Sequence, residues 1–218
     1  EGWLDRLIHA SDFDGRRVVA TKGIDAIAYA ESGSHDDHDD HDHGKFDPHA
    51  WQSLENAVIY VNNITDALVA HAPDHAVEFY QNRAAYLADI YALDAEIRAM
   101  VAELPESQRT VVTSHDAFQY FGRSYGLTFL APQGLSTESK ASARDVARLI
   151  EQMRTLGISA AFVENLADPR LIEQIARETG ATVGGTLYPG ALSGPTGSAA
   201  KSGPGGPRPN ISPDICSQ

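Results

Sequence analysis

Thr110-Val111-Val112-Thr113-Ser114-His115-Asp116-Ala117-Phe118-Gln119-Tyr120-Phe121-Gly122-Arg123-Ser124-Tyr125-Gly126-Leu127-Thr128-Phe129-Leu130 reads as strand, helix and strand in quick succession. The β-branched run Thr110 to Thr113 suits a buried strand, and a helix from Asp116 to Tyr125 is stopped by Gly126 before a second strand at Thr128 to Leu130. The rhythm continues downstream. A helix from about Ala143 to Leu156 ends at Gly157, a strand covers Ala160 to Val163, a helix from Pro169 to Thr179 ends at Gly180, and a last strand lies around Thr182 to Thr186. Ser142 with Asp145, and Asp168 with Pro169, supply the expected helix starts. Such alternation implies a parallel sheet wrapped by helices.

Upstream of this unit, Tyr86, Ile90, Leu93, Ile97, Met100 and Leu104 step along one face of a helix that opens at Pro73 and is closed by Pro105. Roughly thirty helical residues reach about 45 Å, longer than a small domain is wide, so residues 73–104 are expected to link two lobes. Before it, Leu54, Val58, Val61, Thr65 and Leu68 predict a helix from about Ala50 to Ala70, and Arg16 to Thr21 predict a short strand. The expected organisation is an α/β protein of two lobes, with parallel sheets flanked by helices and one long linking helix. Residues 1–72 form a partial N-terminal lobe, 105–198 the C-terminal α/β lobe, and 199–218 a disordered tail rich in Gly, Pro and Ser. Residue 1 already lies inside an apparent helix, so the N-terminal lobe is expected to be incomplete.

The formal net charge of −13 argues against a nucleic-acid partner, because phosphate neutralisation needs clustered Lys and Arg. The single cysteine, Cys216, excludes an internal disulfide and a thiolate cluster. No run of eighteen apolar residues occurs that would span a membrane. Metal binding would therefore rest on His, Asp and Glu.

Residues 33–46 carry the strongest compositional signal: His35, His38, His41 and His43 interleaved with Asp36, Asp37, Asp39, Asp40 and Asp42. Imidazoles beside carboxylates attract divalent cations, so this segment is expected to be a loop that captures metal; a solvating linker that happens to be His-rich is the plain alternative. Two further histidines have distinctive settings. His49, in Asp47-Pro48-His49-Ala50-Trp51, stands where Pro48 stiffens a turn and a helix begins; a surface or capping histidine would look the same. His115 follows a strand and precedes a helix, the carboxyl-end position where open α/β sheets bind ligands. His9, His71 and His75 read as solvated surface residues. Asp116 beside His115 could suggest an acid/base pair, but no nucleophile elbow, phosphate loop or His-Glu-x-x-His motif accompanies it. A metal-dependent hydrolase would have Glu164 as its only nominee for general base.

Together, Asp47-Pro48-His49-Ala50-Trp51, Thr113-Ser114-His115-Asp116-Ala117-Phe118-Gln119-Tyr120-Phe121, Gly134-Leu135-Ser136-Thr137-Glu138 and Phe162-Val163-Glu164-Asn165 resemble the zinc-specific solute-binding proteins of bacterial ABC transporters (ZnuA/AztC-like). The resemblance covers roughly residues 1 to 197. It implies two α/β lobes around a cleft metal with no catalysis, His49 and His115 as one ligand from each lobe, and Zn2+ as the ligand bound. Manganese-binding relatives place a Glu where this chain has His115. It further implies a periplasmic location, an ABC permease as partner and a periplasmic metallochaperone as a further one; these residues are read as holding no signal peptide, and a monomer is expected. Two departures stand out. The family's first histidine ligand belongs to an amino-terminal region not found in this sequence, and its aspartate ligand falls where this chain has Gly190, in Tyr188-Pro189-Gly190-Ala191-Leu192-Ser193. With the abrupt change after about Ala199, these departures suggest a degraded or incomplete gene copy. The rival expectation is a zinc buffer or sink that acts through the 35–43 loop without transport.

Overall fold

The computed structural model describes residues 2–28, 46–134 and 141–191. The metal-capture loop with His35, His38, His41 and His43, residues 135–138 of the Gly134 motif, and the 199–218 tail lie outside the described residues.

The expected β-then-α unit is present. Strands β1 (Thr110–Val112), β2 (Thr128–Leu130), β3 (Ala160–Glu164) and β4 (Thr182–Leu187) form one sheet in the order β2-β1-β3-β4, and every neighbouring pair is parallel. The crossovers are α4 (Gln119–Tyr125), α5 (Ala143–Leu156) and α6 (Pro169–Thr179), each closed by a left-handed glycine, Gly126, Gly157 or Gly180. Ser142 Oγ and Asp168 Oδ1 accept backbone N–H groups at the starts of α5 and α6, satisfying donors that a helix leaves unpaired.

Because side chains alternate across a strand, the sheet is covered on both faces. Val111 and Phe162 point into a core with Phe118, Phe121, Tyr125 and Phe129, joined by Ile90, Leu93, Ile97 and Val101 of α3 (Ala76–Glu103) and by Leu54 of α2 (Leu54–His71). Their neighbours Val112 and Ala161 face the other way, against Leu149, Ile150, Met153, Ile172 and Ile175 of α5 and α6. At Gly122 on α4, a Cβ would lie 2.5 Å from the Leu127 carbonyl oxygen, so only glycine lets the helix turn back this tightly into β2.

Several expectations are corrected. The long helix is preceded by a single 3-10 turn, Pro73–His75, and its 28 residues run from Ala76 to Glu103. Its buried stripe is Ile90, Leu93, Ile97 and Val101, while Tyr86 is exposed. The helix expected from Ala50 is split into a 3-10 turn, Ala50–Gln52, and α2, because Ser53 caps Asn56. Residues 16–20 form no strand, and Val18 and Val19 are exposed; β propensity without a neighbouring strand does not make a sheet. Among the described residues, the part of the chain before β1 contributes α1 (Gly2–Ala10), α2, α3 and one antiparallel bridge, Ala28 to Phe46. No helix among the described residues is long and apolar enough to cross a membrane.

Candidate metal centre

The strand order places a topological switch at β1 and β3: the chain leaves β1 for β2 on one side, then returns to β3 on the other. Open parallel sheets bind ligands beyond the carboxyl ends of such strands. His115 lies just past the end of β1, where a parallel bridge to Gln133 prolongs the β1/β2 pairing, and Glu164 is the last residue of β3. The two meet there. Glu164 Oε1 accepts the backbone N–H groups of Ser114, at 2.8 Å, and His115, at 3.0 Å, while Glu164 Oε2 pairs with His115 Nδ1. Both residues are buried.

His49 is held by a different device with the same result. In the turn before Ala50, Asp47 Oδ1 accepts the His49 backbone N–H at 2.9 Å and lies 2.8 Å from His49 Nδ1. Asp47 is also buried. Each imidazole therefore has its Nδ1 engaged by a carboxylate, which fixes the ring and leaves Nε2 as the donor; metal-binding histidines use this arrangement widely.

The two rings, which come from opposite ends of a long stretch of sequence, are neighbours. Two imidazoles sharing a tetrahedral zinc at roughly 2.0–2.1 Å per nitrogen would hold their ring centres about 5.2 Å apart. Here the centres are 5.4 Å apart with ring planes at 70°. Trp51 packs edge-on against His49 at 5.4 Å.

The surroundings are polar and partly unsatisfied. Asp47 Oδ2 and Ser114 Oγ are buried with no hydrogen-bond partner among the described residues. Burial pushes the Asp116 carboxyl above the usual carboxylate range, opposed by the hydrogen bond from Gln119. Asp116 thus faces Gln119, and the carboxylate that pairs with His115 is Glu164. With both its oxygens engaged by Ser114 and His115, Glu164 is occupied as a hydrogen-bond acceptor.

The segment containing Gly190 is tied to the same place. Trp51 Nε1 and Gln52 Nε2 both donate to the Pro189 carbonyl, at 2.8 and 2.9 Å. A Cβ at Gly190 would meet Leu166 Cδ1 at 3.4 Å, ordinary contact, so the position has room for a side chain that the sequence does not supply. Among the described residues, no group of three or more His, Cys, Asp or Glu is arranged to hold a metal; the geometry brings together the two histidines. His9, His71 and His75 lie elsewhere on the chain, and His75 is exposed beside Glu78.

The sequence reading did not assign Asp47 and Glu164 as the partners of the histidines. For Asp47 the signal was available, as Asp-x-His before a helix is a local turn in which the carboxylate can reach both His49 nitrogens. For Glu164 the hints were the Phe162-Val163-Glu164-Asn165 motif and a carboxylate at the end of an otherwise apolar strand, Ala160-Ala161-Phe162-Val163-Glu164, neither of which points to His115.

These features define a class: a parallel α/β protein with two buried, carboxylate-backed imidazoles brought together beyond the sheet. Residues 1–202 match the family described as zinc-uptake complex component A, periplasmic (ZnuA), and the chain belongs to that family. Among its relatives, the iron-binding protein YfeA of Yersinia pestis is 34% identical over 197 residues, covering 90% of this chain and 60% of YfeA. The manganese-binding lipoprotein MntA of Halalkalibacterium halodurans is 33% identical over 202 residues, covering 92% of this chain and 63% of MntA. The solved structure of the periplasmic zinc binding protein TroA of Treponema pallidum superposes with a TM-score of 0.74 at 27% identity, covering 89% of this chain and 69% of TroA. The chain thus spans about 60% of the length of the curated relatives it matches.

Proposed function

We propose that this chain is a metal-receiving solute-binding protein of an ABC importer, with Zn2+ as its cargo and His49 and His115 as two of its ligands. The observation that carries this reading is the 5.4 Å spacing of two buried imidazoles whose Nδ1 atoms are both engaged by carboxylates. An aromatic contact alone would account for the distance. It would not account for the matched engagement of both Nδ1 atoms.

Zinc is preferred because the two donors are nitrogens and zinc favours imidazole. The named relatives are described as iron-, manganese- and zinc-binding, each for its own protein. In this reading the 35–43 loop, with His35, His38, His41 and His43, captures metal and passes it on. Residues 1–72 and 105–198 act as two lobes around the cargo, with the helix between them limiting closure. The protein works as a monomer in the periplasm, receives zinc with or without a metallochaperone, and delivers it to the membrane permease. It binds its cargo and catalyses no reaction.

Zinc titration of the purified chain beside His49→Ala and His115→Ala tests this. Each variant is expected to lose at least the roughly 10–100-fold that removal of an outer-shell partner costs a metal site. Competition by manganese and iron should be weaker than by zinc. Unchanged zinc affinity in both variants would overturn the reading, and preferential retention of manganese would overturn the choice of metal.

A further inference from the structure

His49 and His115 belong to segments that share no strand, so something other than the sheet must fix their separation. His115 precedes α4, and the second residue of that helix is Tyr120, fully buried. Its hydroxyl donates to the Asp47 carbonyl at 2.9 Å and accepts the Ile27 N–H at 3.0 Å. Ile27 and Asp47 are themselves paired, since the Asp47 N–H donates to the Ile27 carbonyl at 2.9 Å, and the Ala28 to Phe46 bridge lies alongside. One phenol oxygen thus joins two chain segments at the point where Asp47 begins its turn around His49.

Two further facts make this a fixed joint. Burial pushes the Tyr120 phenol above its ordinary value, so it remains a protonated donor at any physiological pH. Arg123, one turn on, lies over the Tyr120 ring at 5.3 Å and donates to the Asp25 carbonyl at 2.7 Å, pinning the same segment from outside.

We propose that Tyr120 is a positioning residue for the metal site: it touches neither imidazole, but it sets the Asp47 turn, and through it the His49 ring, at the right distance from His115. The inference rests on the reading of His49 and His115 as ligands. The chain of connection is short. Tyr120 holds the Asp47 carbonyl, the Asp47 side chain holds His49 Nδ1, and the helix carrying Tyr120 starts four residues after His115.

The test uses the full chain with Zn2+ for affinity and Co2+ as a spectroscopic stand-in for coordination geometry. Tyr120→Phe removes only the hydroxyl. It is expected to bind zinc about tenfold more weakly, in the range for lost outer-shell partners, and to show an altered Co2+ visible spectrum at saturation, which a loss of stability alone would leave unchanged. Tyr125→Phe, on the same helix, loses one hydroxyl hydrogen bond to Asp94 away from the histidines; it is expected to match the wild type in both readouts. Arg123→Ala, an exposed change at the outer end of the joint, keeps the fold independent of the buried hydroxyl and is expected to weaken zinc binding several-fold. A wild-type affinity and Co2+ spectrum in Tyr120→Phe, with His49→Ala impaired, would overturn this inference alone, as would an effect equal to that of Tyr125→Phe or an unaffected Arg123→Ala. Unchanged binding in His49→Ala would overturn the functional reading and this inference together.

Discussion

The two histidines are housed by opposite strategies. His115 is held across the fold: Glu164, 49 positions later in the chain, closes over it from the end of a neighbouring strand. His49 is held by its own turn, through Asp47 only two residues away, and reaches the rest of the molecule by way of Tyr120 and the Trp51 and Gln52 contacts to Pro189. The first arrangement exists only when the sheet is assembled. The second can form locally, but it is aimed only when the long-range ties are made. A site built this way couples assembly of the sheet to presentation of one histidine and leaves the other dependent on a few hydrogen bonds.

That contrast predicts an order of effects. Glu164→Ala should be the most damaging change, because three buried donors at the carboxyl end of the sheet lose their acceptor together; about 3 kcal/mol of stability should go, read by urea unfolding, along with zinc binding. Asp47→Ala should cost about 1–2 kcal/mol, since only two donors, both within the turn, lose a partner, and the unpaired Oδ2 is removed with them. Its zinc affinity should fall out of proportion to its stability. If the two variants were equally destabilised, the distinction between the assembled and the local housing would be wrong.

Smaller effects sharpen the same comparison on the helices. Ser53→Ala, which removes the cap of α2 directly after the His49 turn, should cost about 1 kcal/mol, seen as a lower melting temperature. Arg98 on α3 joins Glu55 at the start of α2 to the Ser124 carbonyl at the end of α4, and so bridges the helices that follow the two histidines in the chain. The residue is about half exposed, so Arg98→Ala should cost no more than about 0.5–1 kcal/mol, and less in high salt. Raised salt should leave the Glu164→Ala deficit untouched.

How much of this was legible follows the same division. The parallel sheet could be read from Thr110 onwards because every crossover helix ended in glycine and two began with Ser or Asp caps. His49 and His115 could be read from their motifs. The start of α4 could not: the helix begins at Gln119, three residues later than expected, because the Asp116 N–H is taken by the Gly134 carbonyl and the His115 carbonyl accepts from Ala117 and Thr113. Those peptides extend the sheet and are lost to the helix, a competition between elements distant in sequence. The pairing of Glu164 with His115 was hidden for the same reason. The misread strand at Arg16 to Thr21 has the opposite cause, a local preference with no partner strand among the described residues to satisfy it.

The most direct test of the central claim compares two altered chains by zinc titration, one lacking residues 35–43 and one carrying His49→Ala and His115→Ala together. The account predicts that the chain without the loop keeps its tightest zinc site while the double variant, loop intact, loses it. Loss of tight binding on removing 35–43, with the double variant unaffected, would make the protein a zinc buffer acting through that segment and would contradict the account.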